Sequence, residues 1–388
     1  MNLSFPSQII LDILVLSAIS RAASLYWPDN HRSGQSFHKR DTFTVSATWT
    51  EEGWSIPISI QGTTFNVWLD TGSSWLWVYS DQVPASEVGT HSQYKLPSDY
   101  ISLPVVEDGY GVGSLTARNL QDTVTIGGVP QTMDIDAATG VSWNSPFDGI
   151  IGLSFSNGDV APSSYVNITK RQACTSNGEQ VSCPASSSDP NIRYTFMERL
   201  LQDYALTQPV FSLALQYTTG GTVQFGDVDS TAYTGTLKTV LAEGSVPWWV
   251  VPGLTVTAGS ASYTGDVLFD TGSPSTTLDE GVVSAYYAGI NGSQENSPGV
   301  WTVPCGTSMP DLTFSTSAGS SIIPGAAFLT ASNPVSLDGS ALTVSNNMCT
   351  TRLGVASGGT GSIGTPFFAT HYVIFNQQEL TVSFALQA

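Results

Sequence analysis

Residues 68–78 read WLDTGSSWLWV, and they set an aspartate, Asp70, behind an apolar run and ahead of a Thr-Gly-Ser turn. Carrying a carboxylate to the end of a buried strand is costly unless the group finds partners. One Asp-Thr-Gly is weak evidence, because Asp and Gly are ordinary turn residues. The chain repeats it at residues 268–278, LFDTGSPSTTL, around Asp270. Each copy follows an apolar pair, Trp68-Leu69 or Leu268-Phe269. Each is followed later by an apolar-Gly element, FDGIIGLSF at 147–155 and GSIGTPFF at 361–368. The repeat is too long for a solenoid unit. It predicts two related lobes joined near residue 218, each delivering one aspartate to a shared cleft.

Two carboxylates brought together cannot both ionise at little cost, so they share a proton and their pKa values separate. One ionised and one neutral carboxyl make a general base and a general acid. The base would take a proton from a water held between them, and the acid would polarise the carbonyl of a scissile amide. Such chemistry needs no metal, no cofactor and no covalent intermediate.

The rest of the chain is consistent with a mainly all-β, secreted protein. At 388 residues it is long enough for about two domains. Strand-like runs such as NLQDTVTIGG and ELTVSFAL lie between Gly-rich turns. Two segments read as helices. TFMERLLQDYAL opens with the Thr195…Glu198 capping-box pattern, with Phe196, Leu200 and Tyr204 on one side. DEGVVSAYYAGI places Val282, Val283, Tyr286 and Ile290 at helical spacing. The net charge is −19 with only 12 Lys and Arg, which argues against nucleic acid as a partner. Such acidity suits an acid medium, where protonation relieves self-repulsion.

The apolar run IILDILVLSAI, followed by SRAAS, reads as a signal peptide over 1–23. A short pro-segment over 24–40 would end at Lys39-Arg40, leaving a mature chain from Asp41. No later run is long enough for a membrane helix. Four cysteines in an apparently secreted chain suggest two disulfides, with three possible pairings. The local ones, Cys174 with Cys183 and Cys305 with Cys349, are simplest. Asn167 (NIT) and Asn291 (NGS) are glycosylation acceptors, expected at the surface.

With these residues in view, the chain resembles a pepsin-family aspartic endopeptidase of fungal type over nearly all of 41–388. The carboxylate pair of that family is the standard example of the shared-proton effect. The resemblance implies a bilobal pepsin-like acid protease fold, with an N-terminal lobe over 41–218 and a C-terminal lobe over 219–388. It implies Asp70 and Asp270 as the catalytic pair. Thr71 and Thr271 would hold the two loops by reciprocal hydrogen bonds, and Ser73 and Ser273 would donate to the carboxylates. FGDVDSTAYTGTL (225–237) resembles a family segment at the start of the second lobe, and GYGVGSLTA (109–117) resembles the flap hairpin. Tyr110 matches the flap tyrosine and Trp77 the tryptophan that partners it. Gly111, Val112 and Gly272 would meet an extended peptide substrate, and Ile150 would line an apolar side-chain pocket. The family also implies a secreted monomer with no membrane partner.

Four features depart from the pattern. Trp75 stands where Asn or Asp is usual, expected to crowd the cleft or to cover a lobe surface. Pro274 has no amide hydrogen to give its loop. SIPISIQGTTFNVW lacks the usual Gly-Thr-Pro turn. The leader is shorter than the family's inhibitory pro-segment, which argues against zymogen control by a lysine set between the aspartates. A serine hydrolase is poorly supported, with no G-x-S-x-G and only His91 and His371 after residue 41. GTGSIG (359–364) satisfies a dinucleotide-binding pattern but lacks a following βαβ unit. The remaining alternative is a catalytically inactive pepsin-like binding or inhibitor protein.

Overall fold

The computed structural model describes residues 42–156, 193–202, 206, 208–244, 246–259, 261–329, 347–356 and 360–388, with the short strands Thr175–Ser176 and Val181–Ser182. The signal-peptide and pro-segment readings, Cys174, Cys183 and Asn167 fall outside the described residues.

Strict alternation builds the first lobe. Strand β1 (Phe43–Thr50) buries Phe43, Val45 and Ala47 and exposes the residues between them. Strand β2 (Gly53–Ile60) buries Trp54, Ile56, Ile58 and Ile60, and β3 (Thr63–Asp70) buries Phe65, Val67 and Leu69. Each such side chain contributes about 1.5–3 kcal/mol on leaving water. The three strands form an antiparallel meander that points β3 at the cleft. Where the usual Gly-Thr-Pro turn is missing, Ile60 pairs directly with Thr63, so Gln61-Gly62 closes a tight hairpin.

Strand β4 (Leu76–Tyr79) follows the first Asp-Thr-Gly-Ser loop. Strands β5 (Val105–Tyr110), β6 (Gly113–Ile126) and β7 (Val129–Val141) make a second meander. Strand β8 (Gly149–Gly152) threads between β3 and β4, parallel to the first and antiparallel to the second. The second lobe repeats the device. Gly361–Ile363 runs parallel to Ala261–Phe269 and antiparallel to Thr276–Leu278. The glycines that follow explain why this element reads as apolar-Gly. A Cβ at Gly152 would collide with the backbone of Ser74 and Trp75, and one at Gly364 with the carbonyls of Ser273 and Ser275.

A shared platform joins the lobes. β1 pairs with Gly220–Phe225, which pairs with Val210–Gln216, and His371–Asn376 and Thr381–Leu386 continue the sheet. Residue 218 falls in the turn between Val210–Gln216 and Gly220–Phe225.

Both helix readings hold where described. In Phe196–Gln202 the Thr195 amide donates to Glu198 Oε2 at 2.9 Å and the Glu198 amide to Thr195 Oγ1 at 3.3 Å, a complete capping box. Phe196 and Leu200 are buried, and Tyr204 lies outside the described residues. Glu280–Ala288 is capped by Asp279 and buries Val282, Val283 and Tyr286, with Ile290 buried just beyond it. A disulfide joins Cys305 to Cys349 across 44 positions. On chain entropy such a closed loop stabilises by about 4 kcal/mol. Asn291 is exposed in a turn. No described helix is long and apolar enough to cross a membrane.

One buried base sits in the platform. His371 is fully buried, stacked on Phe367 at 4.2 Å, with Ser321 Oγ 2.9 Å from Nε2 and Thr370 Oγ1 3.0 Å from Nδ1. Burial, which disfavours the imidazolium, lowers its pKa to about 4. The unfolded chain takes this proton below about pH 6.5 and the folded chain only near pH 4, so stability falls across that window on acidification. The full loss is about 3 kcal/mol. We expect the urea midpoint of wild type to drop more between about pH 6.5 and 4 than that of His371→Gln. Equal slopes would refute this assignment.

Candidate active site

Alternation along β3 buries Leu69, and the chain then turns at Asp70 into the loop held by β8. The Leu153 amide donates to the Asp70 carbonyl at 2.8 Å and the Ser154 amide to the Ser73 carbonyl at 2.9 Å. In the second lobe the Asp270 amide donates to Ile363 O at 3.0 Å and the Thr365 amide to Ser273 O at 3.0 Å. Both loops are therefore clamped by the threaded strand or the residues just after it.

The loops lock to each other through their threonines. The Thr71 amide donates to Thr271 Oγ1 and the Thr271 amide to Thr71 Oγ1, each at 3.0 Å. Each hydroxyl donates onward across the interface, Thr71 to Phe269 O at 2.8 Å and Thr271 to Leu69 O at 2.6 Å. Both threonines are fully buried. Four hydrogen bonds thus tie together segments some two hundred residues apart.

This lattice brings the carboxylates face to face. Asp70 Oδ1 accepts from the Gly72 amide at 2.8 Å and Oδ2 from Ser73 Oγ at 2.5 Å. Asp270 repeats the pattern with Gly272 at 2.8 Å and Ser273 Oγ at 2.6 Å. Each glycine also lies against the opposite aspartate. A Cβ at Gly72 would come within 2.5 Å of Asp270 Oδ1, and one at Gly272 would strike Asp70 Oδ1. Asp70 is buried, whereas Asp270 is only half-buried. Burial first, and then the charge of Asp270, hold the Asp70 carboxyl well above the usual carboxylate range. The donors from Ser73 and Gly72 pull the other way without overcoming them. Such a pair can hold one proton between two oxygens and serve as acid and base together.

The segment that resembles a flap is the β5–β6 hairpin, where Tyr110 pairs with Gly113 and Gly111-Val112 form an exposed tip. Tyr110 lies 6.5 Å from the Trp77 ring, so the two meet as tilted rings. The Trp77 indole N–H is buried with no hydrogen-bond partner among the described residues. A third ring completes the cluster. Trp143 stands 5.3 Å from Tyr110 and 5.7 Å from Trp77, and no motif in the sequence pointed to it. Ile150 is buried in the same cluster.

The two departures behind the loops are both engaged by arginines. Trp75 is 3% exposed, so it neither crowds the cleft nor covers the outside of the lobe. The Arg193 guanidinium lies over its ring at 3.9 Å and pairs with Asp108 and Asp136. Pro274 offers its carbonyl instead of an amide. It accepts from Arg352 Nη1 at 2.9 Å and Thr365 Oγ1 at 2.6 Å, while Arg352 Nη2 reaches across to Glu51 O at 2.6 Å. The loop contact feared lost is replaced by one that joins the lobes.

Two β lobes presenting matched Asp-Thr-Gly-Ser loops to each other define the fold and site of an aspartic endopeptidase. The family described as eukaryotic aspartyl protease matches residues 54–387, and the chain belongs to it. Penicillopepsin-1 of Penicillium janthinellum is 32% identical over 357 residues, covering 89% of this chain and 98% of that protein. Aspergillopepsin-1 of Aspergillus oryzae is 30% identical over 346 residues, covering 86% and 76%. The crystal structure of an aspartic proteinase from Irpex lacteus superposes with a TM-score of 0.67 at 18% identity, over 89% and 98% of the two chains, a likeness of fold. The protein is thus a fungal-like member of the pepsin family and an aspartic-type endopeptidase.

The threonine lattice makes a sharp expectation. Thr271→Val strands the Thr71 amide and the Leu69 carbonyl in a buried site, costing at least about 2 kcal/mol. Proteolytic rate per folded molecule should fall at least about tenfold, while Thr271→Ser, which keeps the hydroxyl, restores most of both. Urea denaturation with initial rates on one peptide checks it. A fully active valine variant would show that the loops do not need the lattice.

Proposed function

We propose that this chain is a secreted endopeptidase that hydrolyses peptide bonds at acidic pH, with Asp70 and Asp270 as its general acid/base pair. The observation that carries this reading is the reciprocal threonine lattice, which sets two carboxylates with matched donors against each other across the cleft. Burial favours the shared proton on Asp70, the deeper of the two. The ionised partner takes a proton from water as its oxygen attacks the carbonyl carbon, while the neutral carboxyl gives its proton to the carbonyl oxygen. The resulting tetrahedral diol collapses as the carboxyl that took the water proton gives it to the amide nitrogen, the other carboxylate takes a proton from a diol hydroxyl and the C–N bond breaks, releasing an acid and an amine and restoring the pair. The hydroxyls of Ser73 and Ser273 hold the carboxylate oxygens in place throughout.

An extended peptide would lie under the flap, with Gly111, Val112 and Gly272 along its backbone. Tyr110, Trp77 and Ile150 favour bulky apolar side chains at the cut. The leader 1–23, the pro-segment 24–40 ending in Lys39-Arg40, and lobes over 41–218 and 219–388 complete the reading of an extracellular monomer. Its relatives penicillopepsin-1 and aspergillopepsin-1 support the proteolytic part.

The test is digestion of an unfolded protein from strongly acid to neutral pH, with Asp70→Asn and Asp270→Asn alongside. Activity should follow a bell-shaped acid profile in the wild type. Each variant should lose at least about a hundredfold. Folded, processed wild type that cleaves nothing at any pH would favour the inactive binding protein instead. Cleavage sites flanked by charged residues would overturn the apolar preference alone.

A further inference from the structure

The acidic cluster beside the β5–β6 hairpin is not part of the dyad, yet it touches both that hairpin and the segment that follows Asp70. On β7, Ile135 and Ala137 face the core, so Asp134 and Asp136 face the other way. Asp134 is taken up by Arg199 Nε at 2.8 Å, and Gln121 Nε2 and the Tyr194 amide donate to it as well. Asp136 accepts from Asn119 Nδ2 at 2.8 Å and pairs with Arg193. The same guanidinium holds Asp108 by two hydrogen bonds, at 3.1 and 3.3 Å. Asp108 and Asp136 are both almost completely buried.

Two connections give this cluster reach. Asp108 and Tyr110 are two apart on β5, so they project from the same side of the flap strand. Trp75, under the guanidinium, belongs to the segment that leaves Asp70, and its carbonyl accepts the Gly152 amide at 2.9 Å. Arg193 therefore bridges the flap strand to the backbone that fixes the first catalytic loop.

We propose that Arg193 is a positioning residue for proteolysis: gripping Asp108 and stacking on Trp75, it latches the flap so that Tyr110 stays over the dyad. This rests on the endopeptidase reading above. A planar fork is suited to the task, since it binds a carboxylate through two donors and presents a flat face to an indole. The latch has a charge condition. With both aspartates ionised it is one negative charge in excess inside the lobe, and a proton on Asp136 neutralises it. Burial, which outweighs the pull of Arg193, pushes the Asp136 carboxyl up to about 6. The groups facing it among the described residues are Asp108 from β5, Asn119 from β6, Asp134 with its partner Arg199, and the Tyr110 phenol. Asp136 thus holds its proton to higher pH than an ordinary carboxyl, and the cluster gains a negative charge when that proton leaves.

The test compares wild type with three variants of the full chain. Arg193→Lys keeps the charge but not the fork. The triple variant Arg193→Met, Asp108→Asn, Asp136→Asn removes every charge of the latch, so that none is left buried alone. Asp136→Asn alone keeps the grip on Asp108. Readouts are kcat and KM on one peptide across pH, and hydrogen exchange of the flap amides 110–114 with folding checked by denaturation. The triple variant should lose tenfold or more in kcat/KM, chiefly through KM, and exchange its flap amides at least tenfold faster. Arg193→Lys should fall between. Asp136→Asn should keep its acid activity and hold it to higher pH than wild type. A folded triple variant with KM, pH profile and flap exchange within twofold of wild type would overturn the latch. An inactive wild type would sink the endopeptidase reading, and flap exchange would still decide the latch.

Discussion

Everything at the cleft depends on four hydrogen bonds between Thr71 and Thr271 and their opposite strands. Two carboxylates repel, and burying them together adds a desolvation penalty that they do not repay themselves. Some interaction must therefore hold the loops in register against that cost. A threonine is suited to it, because its hydroxyl accepts from the facing amide while donating to the facing carbonyl. The exchange has twofold symmetry, so a shift of either lobe breaks bonds on both sides. The glycines contribute by absence: at Gly72 and Gly272 any side chain would occupy the place of the opposite carboxylate.

The repeat was legible because the chemistry demands short, local, identical pieces. Asp-Thr-Gly-Ser and the threaded apolar-Gly strand need fixed residues at fixed spacing, so they stand out in one sequence. The capping box at Thr195 and Glu198 was legible for the same reason, whereas the Cys305–Cys349 disulfide belongs to the simplest of three possible pairings that the sequence left open. What stayed hidden is long-range and asymmetric. Trp143 joins Tyr110 and Trp77 through a loop with no motif of its own. Arg352 meets Glu51 across 301 positions, and no periodicity encodes that. Asp134-Ile135-Asp136 puts two acids on one face of β7, opposite the buried Ile135 and Ala137. Their partners Arg193 and Arg199 lie far along the chain, where no spacing connects them.

Trp75 and Pro274 show how a departure from a family pattern can be compensated. Each stands just past an Asp-Thr-Gly-Ser loop, where a lost contact would loosen an aspartate. In the first lobe the compensation is a cation on an indole face, and in the second it is an arginine on a carbonyl. The solutions differ because the deficits differ. Trp75 brings a large ring that must be covered, whereas Pro274 removes a donor and leaves its carbonyl to accept.

This use of arginine bears on the surface as well. The chain carries only 12 Lys and Arg, four of them within the first 40 residues. Of those remaining, Arg193, Arg199 and Arg352 are largely buried on carboxylates or carbonyls. Few cations are left to offset the acidic residues outside. At neutral pH that surface repels itself, and protonation relieves it as the medium turns acid. Inside, the two displaced titrations oppose one another. Asp136 resists losing its proton and so disfavours the neutral range, while His371 resists gaining one and so disfavours strong acid. Their windows overlap between about pH 4 and 6, where the folded state holds Asp136 largely protonated and His371 largely neutral. The deeper member of the carboxylate pair, Asp70, is pushed upward by burial as well. Asp136 and His371 are therefore compatible with one pH range, and each reaches it through the cause that also raises Asp70, the cost of charge in a dry interior.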